Sequence, residues 1–294
     1  MSTKGTILLT GANGGLGVAV VRKIVSWPEL AAYHGLYAVR DASSSLRLRS
    51  VLRDAAVGPH SHDIVSLELT NLAAVRDVAT TINARVAAGE IPPIRVLILN
   101  AAPGNIPAGP QPAKWLGHII SHIFFTQDTR NNAGAQYIEK KWQTIFHDST
   151  EPIAKGTWSS TKEDPSFRGG YRRYGAAKLC QVMMIPELQR RIDADPVLKD
   201  ISTLIMPWLV VILTWLWPNG TNRTLTKSSA DIVVAAFDSN PTLGERPKEL
   251  YLNGEERREM AAEARDPRKR ETLWKDTIKY TQLNQKDTIL ANWA

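Results

Sequence analysis

The chain of 294 residues has only one cysteine, Cys180, so it forms no internal disulfide and does not require an oxidising compartment. Residues 1–5 lack the apolar core and the cleavage site of a signal peptide. The longest apolar run, 204–217, has 14 residues with a proline near its start and is too short to span a bilayer. It favours a buried or substrate-covering helix, with a tryptophan-rich interfacial helix as the alternative. We therefore expect a cytoplasmic protein without a stable membrane span.

Acidic residues are fewer than basic ones, 29 against 36, which gives a formal net charge of +7. Basic side chains alternate with acids, as in 265–271, and lack the interleaved aromatic residues that stack on bases. The charge pattern predicts a solvated basic surface and no nucleic-acid partner. Two histidine pairs, at 60 and 62 and at 118 and 122, bring no third ligand, so no metal site is predicted.

Glycine is concentrated in the stretch 10–17, which reads Thr-Gly-Ala-Asn-Gly-Gly-Leu-Gly. An apolar run with strand character precedes it at 6–9, and a run of helical length follows at 18–25. Glycines in such a turn allow positive φ and let the backbone approach a pyrophosphate at the helix N-terminus. The sequence therefore predicts a nucleotide-binding turn. Its candidate cofactor-binding residues are Gly11, Asn13, Gly15, Leu16 and Gly17.

The second predicted strand, 35–39, is followed by a basic residue, Arg40. An arginine at this position can pair with a 2′-phosphate, which favours NADP(H) over NAD(H), although the acid Asp41 follows at once. A third strand is predicted at 64–69, and Glu68 within it is a further candidate cofactor-binding residue.

A helix at 71–87 and a strand at 94–99 come next, and such repeated strand-helix units predict a parallel sheet.

Tyr174 and Lys178 have the four-residue spacing that places a phenol and an ammonium on one helix face. A free phenol has a pKa near ~10, and a fixed positive charge beside it favours the phenolate. The pair is therefore predicted to act as a proton donor near neutral pH.

Three ordered motifs together resemble the short-chain dehydrogenase/reductase family: the glycine turn, Asn100-Ala101-Ala102 after a buried strand, and the pair of Tyr174 and Lys178. The late helix at 228–234 and the last strand at 249–254 extend the resemblance. It implies a single domain of doubly wound α/β fold with a Rossmann-like parallel sheet. The implied parts are a nucleotide-binding half at 1–100, a catalytic half at 117–254 and a C-terminal helical extension at 255–294.

The resemblance also implies a function, namely an NADP(H)-dependent ketoreductase or alcohol dehydrogenase acting on a small apolar carbonyl compound or alcohol. Tyr174 would protonate the carbonyl oxygen, Lys178 would hold the nicotinamide ribose and lower the Tyr174 pKa, and Asn100 would contact the cofactor. Family dimers use the two helices that flank the active site, and one of these is largely absent here, so the oligomeric state stays open with a homodimer as one option. The long segment before Tyr174 and the tail after about residue 255 resemble fungal members of the family from secondary metabolism.

Two stretches depart from the family pattern. Residues 103–116 contain four prolines where the family has a crossover helix, and the predicted sixth strand with its turn is reduced to 200–207. The fifth strand is predicted at 117–125, where Ser121 is the candidate for the family's catalytic serine and Thr126 is the neighbouring hydroxyl. The letters Asn-Asn-Ala-Gly at 131–134 match the family signature but follow a polar segment, so that role goes to Asn100.

These departures indicate that stretches were removed from a complete ancestor, as in a wrong gene model, a splice variant or a decayed paralogue. The alternative function is accordingly a non-redox protein of the same fold, such as a cyclase, a binding scaffold or an inactive paralogue.

Overall fold

A computed structural model describes residues 4–55, 58–101, 139–199, 204–205, 224–237, 248, 250–253 and 256–294. The chain divides into two compact units. The described residues of the first unit lie within 4–101 and 224–237, and those of the second lie within 139–205 and 248–294.

The described elements alternate between strands and helices over the first hundred residues. In chain order they are β1 Thr6–Thr10, α1 Gly15–Ser26, α2 Pro28–Ala31, β2 His34–Val39, α3 Leu46–Arg53, β3 His62–Ser66, α4 Leu72–Ala87, β4 Ile94–Leu99, α5 Lys140–Gln143, α6 Glu151–Ala154, α7 Phe167–Asp193, β5 Leu204–Ile205, α8 Leu225–Ala236, β6 Leu250–Asn253, β7 Glu256–Arg257, α9 Ala262–Arg265, α10 Pro267–Thr281 and a 3₁₀ helix at Gln285–Asp287.

The first unit contains a four-stranded sheet in the order β3-β2-β1-β4, and every neighbouring pair is parallel. All six residues of β2 are buried, as expected for a parallel strand that helices cover on both faces. The order of the strands is that of a Rossmann-like half sheet. The structure therefore confirms the predicted doubly wound α/β fold.

Alternate side chains of the strands enter two different apolar clusters. Ile7 and Leu9 of β1 pack with residues of α1, α3 and α8, whereas Leu8 packs with Leu36 and with residues of α4. Because successive strand residues point to opposite faces, helices cover both faces of this sheet. The carboxyl edge of the sheet is left for the loops that follow the strands.

The third strand ends earlier than the predicted range 64–69. Glu68 lies beyond β3, and its Oε1 accepts hydrogen bonds from the backbone N–H of Thr70 at 3.0 Å and from the Thr70 hydroxyl at 2.8 Å. This side-chain turn competes with further sheet pairing, so the chain leaves the sheet before Glu68.

The second unit contains a small sheet in which β5 pairs with β6 in parallel and β6 pairs with β7 in antiparallel orientation. The described part of the predicted sixth strand is Leu204–Ile205, and the predicted last strand is Leu250–Asn253. The C-terminal region begins with the short strand β7 and continues with helices α9 and α10. The proposed division into a nucleotide-binding half, a catalytic half and an extension stays a prediction.

Several predicted features lie outside the described residues: the crossover 103–116, the strand 117–125 with Ser121 and Thr126, the segment 131–134, and nearly all of the apolar run 204–217. Within the described part of the chain, no helix has the length and apolar character needed to cross a membrane.

A buried polar pair joins β2 to the segment before β3. The Tyr37 hydroxyl lies 2.8 Å from His60 Nε2, and the His60 Nδ1 lies 3.2 Å from the carbonyl oxygen of Ala31. His60 is only 6% exposed, and this burial lowers the pKa of its imidazole. The charged form of His60 is therefore disfavoured in the folded protein.

This burial predicts acid sensitivity of the first unit. The folded-state pKa of His60 lies below its unfolded value. The contribution of neutral His60 to stability is therefore fully present above about pH 6.5 and is lost as the pH falls below that value. We expect His60→Gln to reduce the fall in Tm between pH 7.5 and pH 5 by about 2–6 °C in thermal unfolding. His62→Gln, a change at the exposed neighbouring histidine, is the control. An equal fall in Tm in wild type and His60→Gln would contradict this assignment.

Candidate functional site

The glycine turn connects β1 to α1 at the carboxyl edge of the four-stranded sheet. Gly11 has φ +68°, and a Cβ at Gly17 would lie 2.2 Å from the Gly11 carbonyl oxygen. Only glycine is free of strain at the first position, and only glycine fits the close approach at the second. The N-cap of helix α1 is Gly14, which has no side chain to cap the N–H groups of the first turn, so among the described residues these groups remain available to a ligand.

Asn100 joins the end of β4 to this turn. Its Nδ2 donates to the Thr10 carbonyl at 3.1 Å and to the Gly11 carbonyl at 3.3 Å. The backbone N–H of Ala101 donates to the Thr10 hydroxyl at 3.1 Å. The structure thus brings the predicted residues Gly11 and Asn100 into direct contact. The Asn100 amide nitrogen holds the shape of the turn, which is a positioning role.

Other residues of the turn fit a dinucleotide in different ways. Asn13 Oδ1 is buried and accepts no hydrogen bond within the described structure, so it is available to a ligand donor. Leu16 is 4% exposed and belongs to the core, which leaves only its backbone N–H for a ligand. The uncapped helix start and the orphaned Asn13 oxygen together match what a pyrophosphate and a ribose require.

Arg40 and Glu68 form an ion pair beyond the ends of β2 and β3, with Arg40 Nε 3.3 Å from Glu68 Oε2. The Arg40 side chain is 82% exposed. The hydrogen bonds from Thr70 lower the pKa of the Glu68 carboxyl, and the charge of Arg40 adds to that effect. Glu68 was predicted as a separate cofactor-binding residue, and the structure places it as the partner of Arg40.

Asp41, the acid that weakens the preference for NADP(H), is engaged locally. Its Oδ1 accepts hydrogen bonds from the Ser43 backbone N–H at 2.9 Å and from the Ser43 hydroxyl at 2.7 Å. These bonds lower the pKa of the Asp41 carboxyl. The Asp41 carboxylate therefore stabilises the turn after β2, because its Oδ1 already accepts hydrogen bonds from two donors of Ser43.

Tyr174 and Lys178 lie on α7, a helix of 27 residues whose N-cap Ser166 accepts a hydrogen bond from the backbone N–H of Gly169. At 100° per residue, both side chains lie on the face opposite to the stripe of core residues. That stripe consists of Ala176, Leu179 and Met183. Tyr174 and Lys178 are half-buried, and the Lys178 Nζ lies 5.6 Å from the centroid of the Tyr174 ring.

The pKa values of this pair correct one sequence-based expectation. Burial raises the pKa of the Tyr174 hydroxyl and lowers the pKa of the Lys178 ammonium. Lys178 was expected to lower the Tyr174 pKa. Its ammonium instead lies beside the ring and donates to Gln181 Oε1 at 2.9 Å, so the effect of burial on the phenol dominates.

A cavity of about 640 Å³ lies at the amino edge of the four-stranded sheet and is lined by His34, Ser61, Asp63 and Arg85. Its charges are mutually paired, since Arg85 contacts Asp63 at 2.6 Å. Ligands of doubly wound folds bind at the other, carboxyl edge, so this cavity is not the candidate site. Among the described residues, no group of His, Cys, Asp and Glu side chains can hold a metal ion.

No family model matches the chain. The chain is 37% identical to the short-chain dehydrogenase iccH of Talaromyces variabilis, over an alignment of 367 positions that covers 100% of both chains. The protein therefore belongs to the short-chain dehydrogenase/reductase family.

Solved structures of two reductases are similar to the chain at lower identity. NADPH-bound carbonyl reductase from chicken fatty liver is 16% identical with a TM-score of 0.47, covering 89% of this chain and 95% of that one. An NADH-dependent reductase complexed with NAD is 17% identical with a TM-score of 0.44, covering 85% of this chain and 95% of that one.

The alignment with the Talaromyces protein is longer than this chain. Because 367 aligned positions exceed 294 residues by 73, about 73 positions of the alignment are gaps in this chain. The Talaromyces protein thus has about 73 residues without an aligned counterpart in this chain, and the removal of stretches from a complete ancestor stays a prediction. Their location next to 102–117 and after the sixth strand stays a prediction.

Sequence reasoning missed the contact between Lys178 and Gln181. The three-residue spacing of Lys178 and Gln181 could have predicted it, because residues three apart on a helix are neighbours on its surface. The pairing of Arg40 with Glu68 had no such local signal.

Proposed function

We propose that the protein is an NADP(H)-dependent oxidoreductase that interconverts a small apolar carbonyl compound and its alcohol. Membership of the family supports this proposal, and so do the glycine turn and the Asn13 Oδ1, which has no hydrogen-bond partner among the described residues. The observation that carries it is the half-buried pair of Tyr174 and Lys178, with the ammonium 5.6 Å from the ring centroid.

A nicotinamide bound at this site would supply or accept the hydride. The Tyr174 hydroxyl donates its proton to the carbonyl oxygen during reduction and takes it back during oxidation. Its raised pKa keeps the proton on the phenol at neutral pH until negative charge develops on the substrate oxygen. The Lys178 ammonium stabilises the phenolate that remains and would also hold the nicotinamide ribose.

The cofactor preference rests on Arg40, whose guanidinium is exposed at the end of β2. A guanidinium recognises a phosphate with two parallel hydrogen bonds, and the Arg40–Glu68 pair occupies only Nε.

We expect Arg40→Ala to weaken NADPH binding about 10- to 100-fold and to leave NADH binding within about a factor of 3, measured by nucleotide fluorescence titration. Arg22→Ala, which removes the same charge from the exposed face of α1, is the control and is expected to change neither affinity. Equal losses for both nucleotides in Arg40→Ala would contradict the 2′-phosphate role. A wild type that binds neither nucleotide would contradict the proposed function as a whole.

Three further parts of the proposal rest on the family resemblance. Ser121, outside the described residues, is proposed as the hydroxyl that binds the substrate carbonyl. A cytoplasmic homodimer is proposed for the assembly, and native mass spectrometry tests it. The resemblance to fungal members suggests a step in the biosynthesis of a secondary metabolite.

A second candidate function is a non-redox protein on this fold: a cyclase, a binding scaffold or an inactive paralogue. The gap of about 73 alignment positions favours it, because a crossover helix and a substrate-covering segment are among the parts predicted to be missing. NADPH consumption that depends on Tyr174 separates the two functions, since only the oxidoreductase consumes NADPH.

A further inference from the structure

Gln181 extends the pair of Tyr174 and Lys178 into a stripe along one face of α7. The three residues stand at positions i, i+4 and i+7 of the helix, which lie within about 60° of one another around its axis. Gln181 is exposed, whereas Tyr174 and Lys178 are half-buried. The stripe therefore runs from a partly buried phenol through the ammonium to a solvent-facing amide.

The Lys178 ammonium has three N–H donors and loses part of its hydration through burial. Within the described structure, Gln181 Oε1 is the side-chain acceptor for this ammonium, at 2.9 Å. The bond fixes the far end of a side chain that otherwise has four rotatable bonds. With one donor used, two remain.

We propose that Gln181 is a positioning residue that holds the Lys178 ammonium beside the Tyr174 ring, so that its two other donors face the ribose and the phenol oxygen. This inference rests on the proposed function, because the ribose and the phenolate that would accept from those two donors are present only in that reaction.

The chemistry of the side chain supports this role. An amide oxygen accepts a hydrogen bond without neutralising the ammonium, so the positive charge stays available to a phenolate. A glutamate at position 181 would form an ion pair with Lys178 and offset its positive charge. An apolar residue there would accept no hydrogen bond, so that N–H of Lys178 would bond to water. Gln181 therefore orients Lys178 and preserves its charge.

The contact can be tested without catalysis. Because the bond to Gln181 favours the charged ammonium, Gln181→Met is expected to speed acylation of Lys178 by a small amine-reactive ester at pH 8 by about 3- to 10-fold. Gln181→Glu is expected to slow it. Arg168→Gln, at an exposed position in the first turn of α7, is the control and should match wild type. Peptide mass spectrometry measures labelling at Lys178. Equal rates in all four proteins would overturn the proposal.

Kinetics test the functional half. Gln181→Met is expected to lower kcat/KM for NADPH about 3- to 10-fold and to shift the pH profile of kcat, and Gln181→Asn is expected to recover part of the loss. Unchanged kinetics in Gln181→Met would overturn the positioning role while leaving the proposed function intact. If the Gln181 variants differ from wild type in labelling but the wild type shows no turnover, the contact would be supported and the proposed function contradicted. The two failures are thus distinguishable.

Discussion

Replacing Tyr174 by phenylalanine is expected to lower kcat for carbonyl reduction by about 10²- to 10⁴-fold and to leave NADPH binding within about a factor of 3. The substitution removes only the hydroxyl, so the ring beside the Lys178 ammonium and the packing of α7 are retained. Steady-state NADPH consumption over a panel of carbonyl compounds provides the measurement.

Tyr171→Phe is the matched control for this experiment. Tyr171 lies one turn earlier on α7 and is 6% exposed, with its ring 6.2 Å from that of Tyr174. No lysine follows it at four-residue spacing, because position 175 is Gly175. We expect its kcat to stay within about a factor of 5 of wild type. A larger loss of kcat in Tyr171→Phe than in Tyr174→Phe would show that Tyr171, and not Tyr174, is the proton donor.

Replacing Arg191 by methionine is expected to reduce the free energy of unfolding of the second unit by about 2–4 kcal/mol. The Arg191 side chain is 4% exposed, and its Nε donates to Glu187 Oε1 at 2.9 Å. It also donates to the carbonyl oxygen of Ala294 at 3.1 Å and lies 4.6 Å from the Trp274 ring. Among the described residues, the variant leaves the buried Glu187 carboxylate with one arginine partner, Arg190.

Chemical denaturation of two further variants tests this account. Glu187→Gln in the Arg191→Met background should recover about half of the loss, because the orphaned charge is then removed. Lys275→Met, which breaks an exposed ion pair with Glu271, should change stability by less than about 0.5 kcal/mol. A loss below about 1 kcal/mol in Arg191→Met would show that water already reaches Glu187.

The fold of the first unit could be predicted because its signals are local. The strand before the glycine turn and the helix after it are adjacent in sequence, and apolar periodicity marks the other strands. The contact of Asn100 with Gly11 also follows from topology. Both residues come after parallel strands that are neighbours in the sheet, so both lie at its carboxyl edge.

The environment of Tyr174 could not be predicted, because it depends on contacts between distant segments. The core that α7 packs against includes Trp142, Phe146 and residues of the C-terminal helices. Glu263 of α9 accepts hydrogen bonds from the backbone N–H groups of Ile145 and Phe146, more than a hundred residues away in sequence. No local pattern contains these pairings, and the direction of the Tyr174 pKa shift depends on the burial around it.

The pair of Arg40 and Glu68 illustrates the same limit at the cofactor edge. Arg40 follows the second strand as predicted, but the sequence places the end of the third strand at 69, whereas β3 ends at Ser66 and leaves Glu68 outside the sheet. The turn made by Thr70 and Glu68 decides where the strand ends. Side-chain turns of this kind compete with sheet pairing and are difficult to weigh from sequence alone.

Transfer of deuterium from C4-labelled NADPH to a carbonyl compound is the most direct test of the central claim, that this chain uses Tyr174 and Lys178 for hydride-transfer chemistry. Mass spectrometry of the alcohol product measures the transfer. The account predicts one deuterium at the carbinol carbon with wild-type protein and almost none with Tyr174→Phe. Binding of NADPH without any labelled alcohol across the carbonyl panel would contradict it and would favour the non-redox alternative.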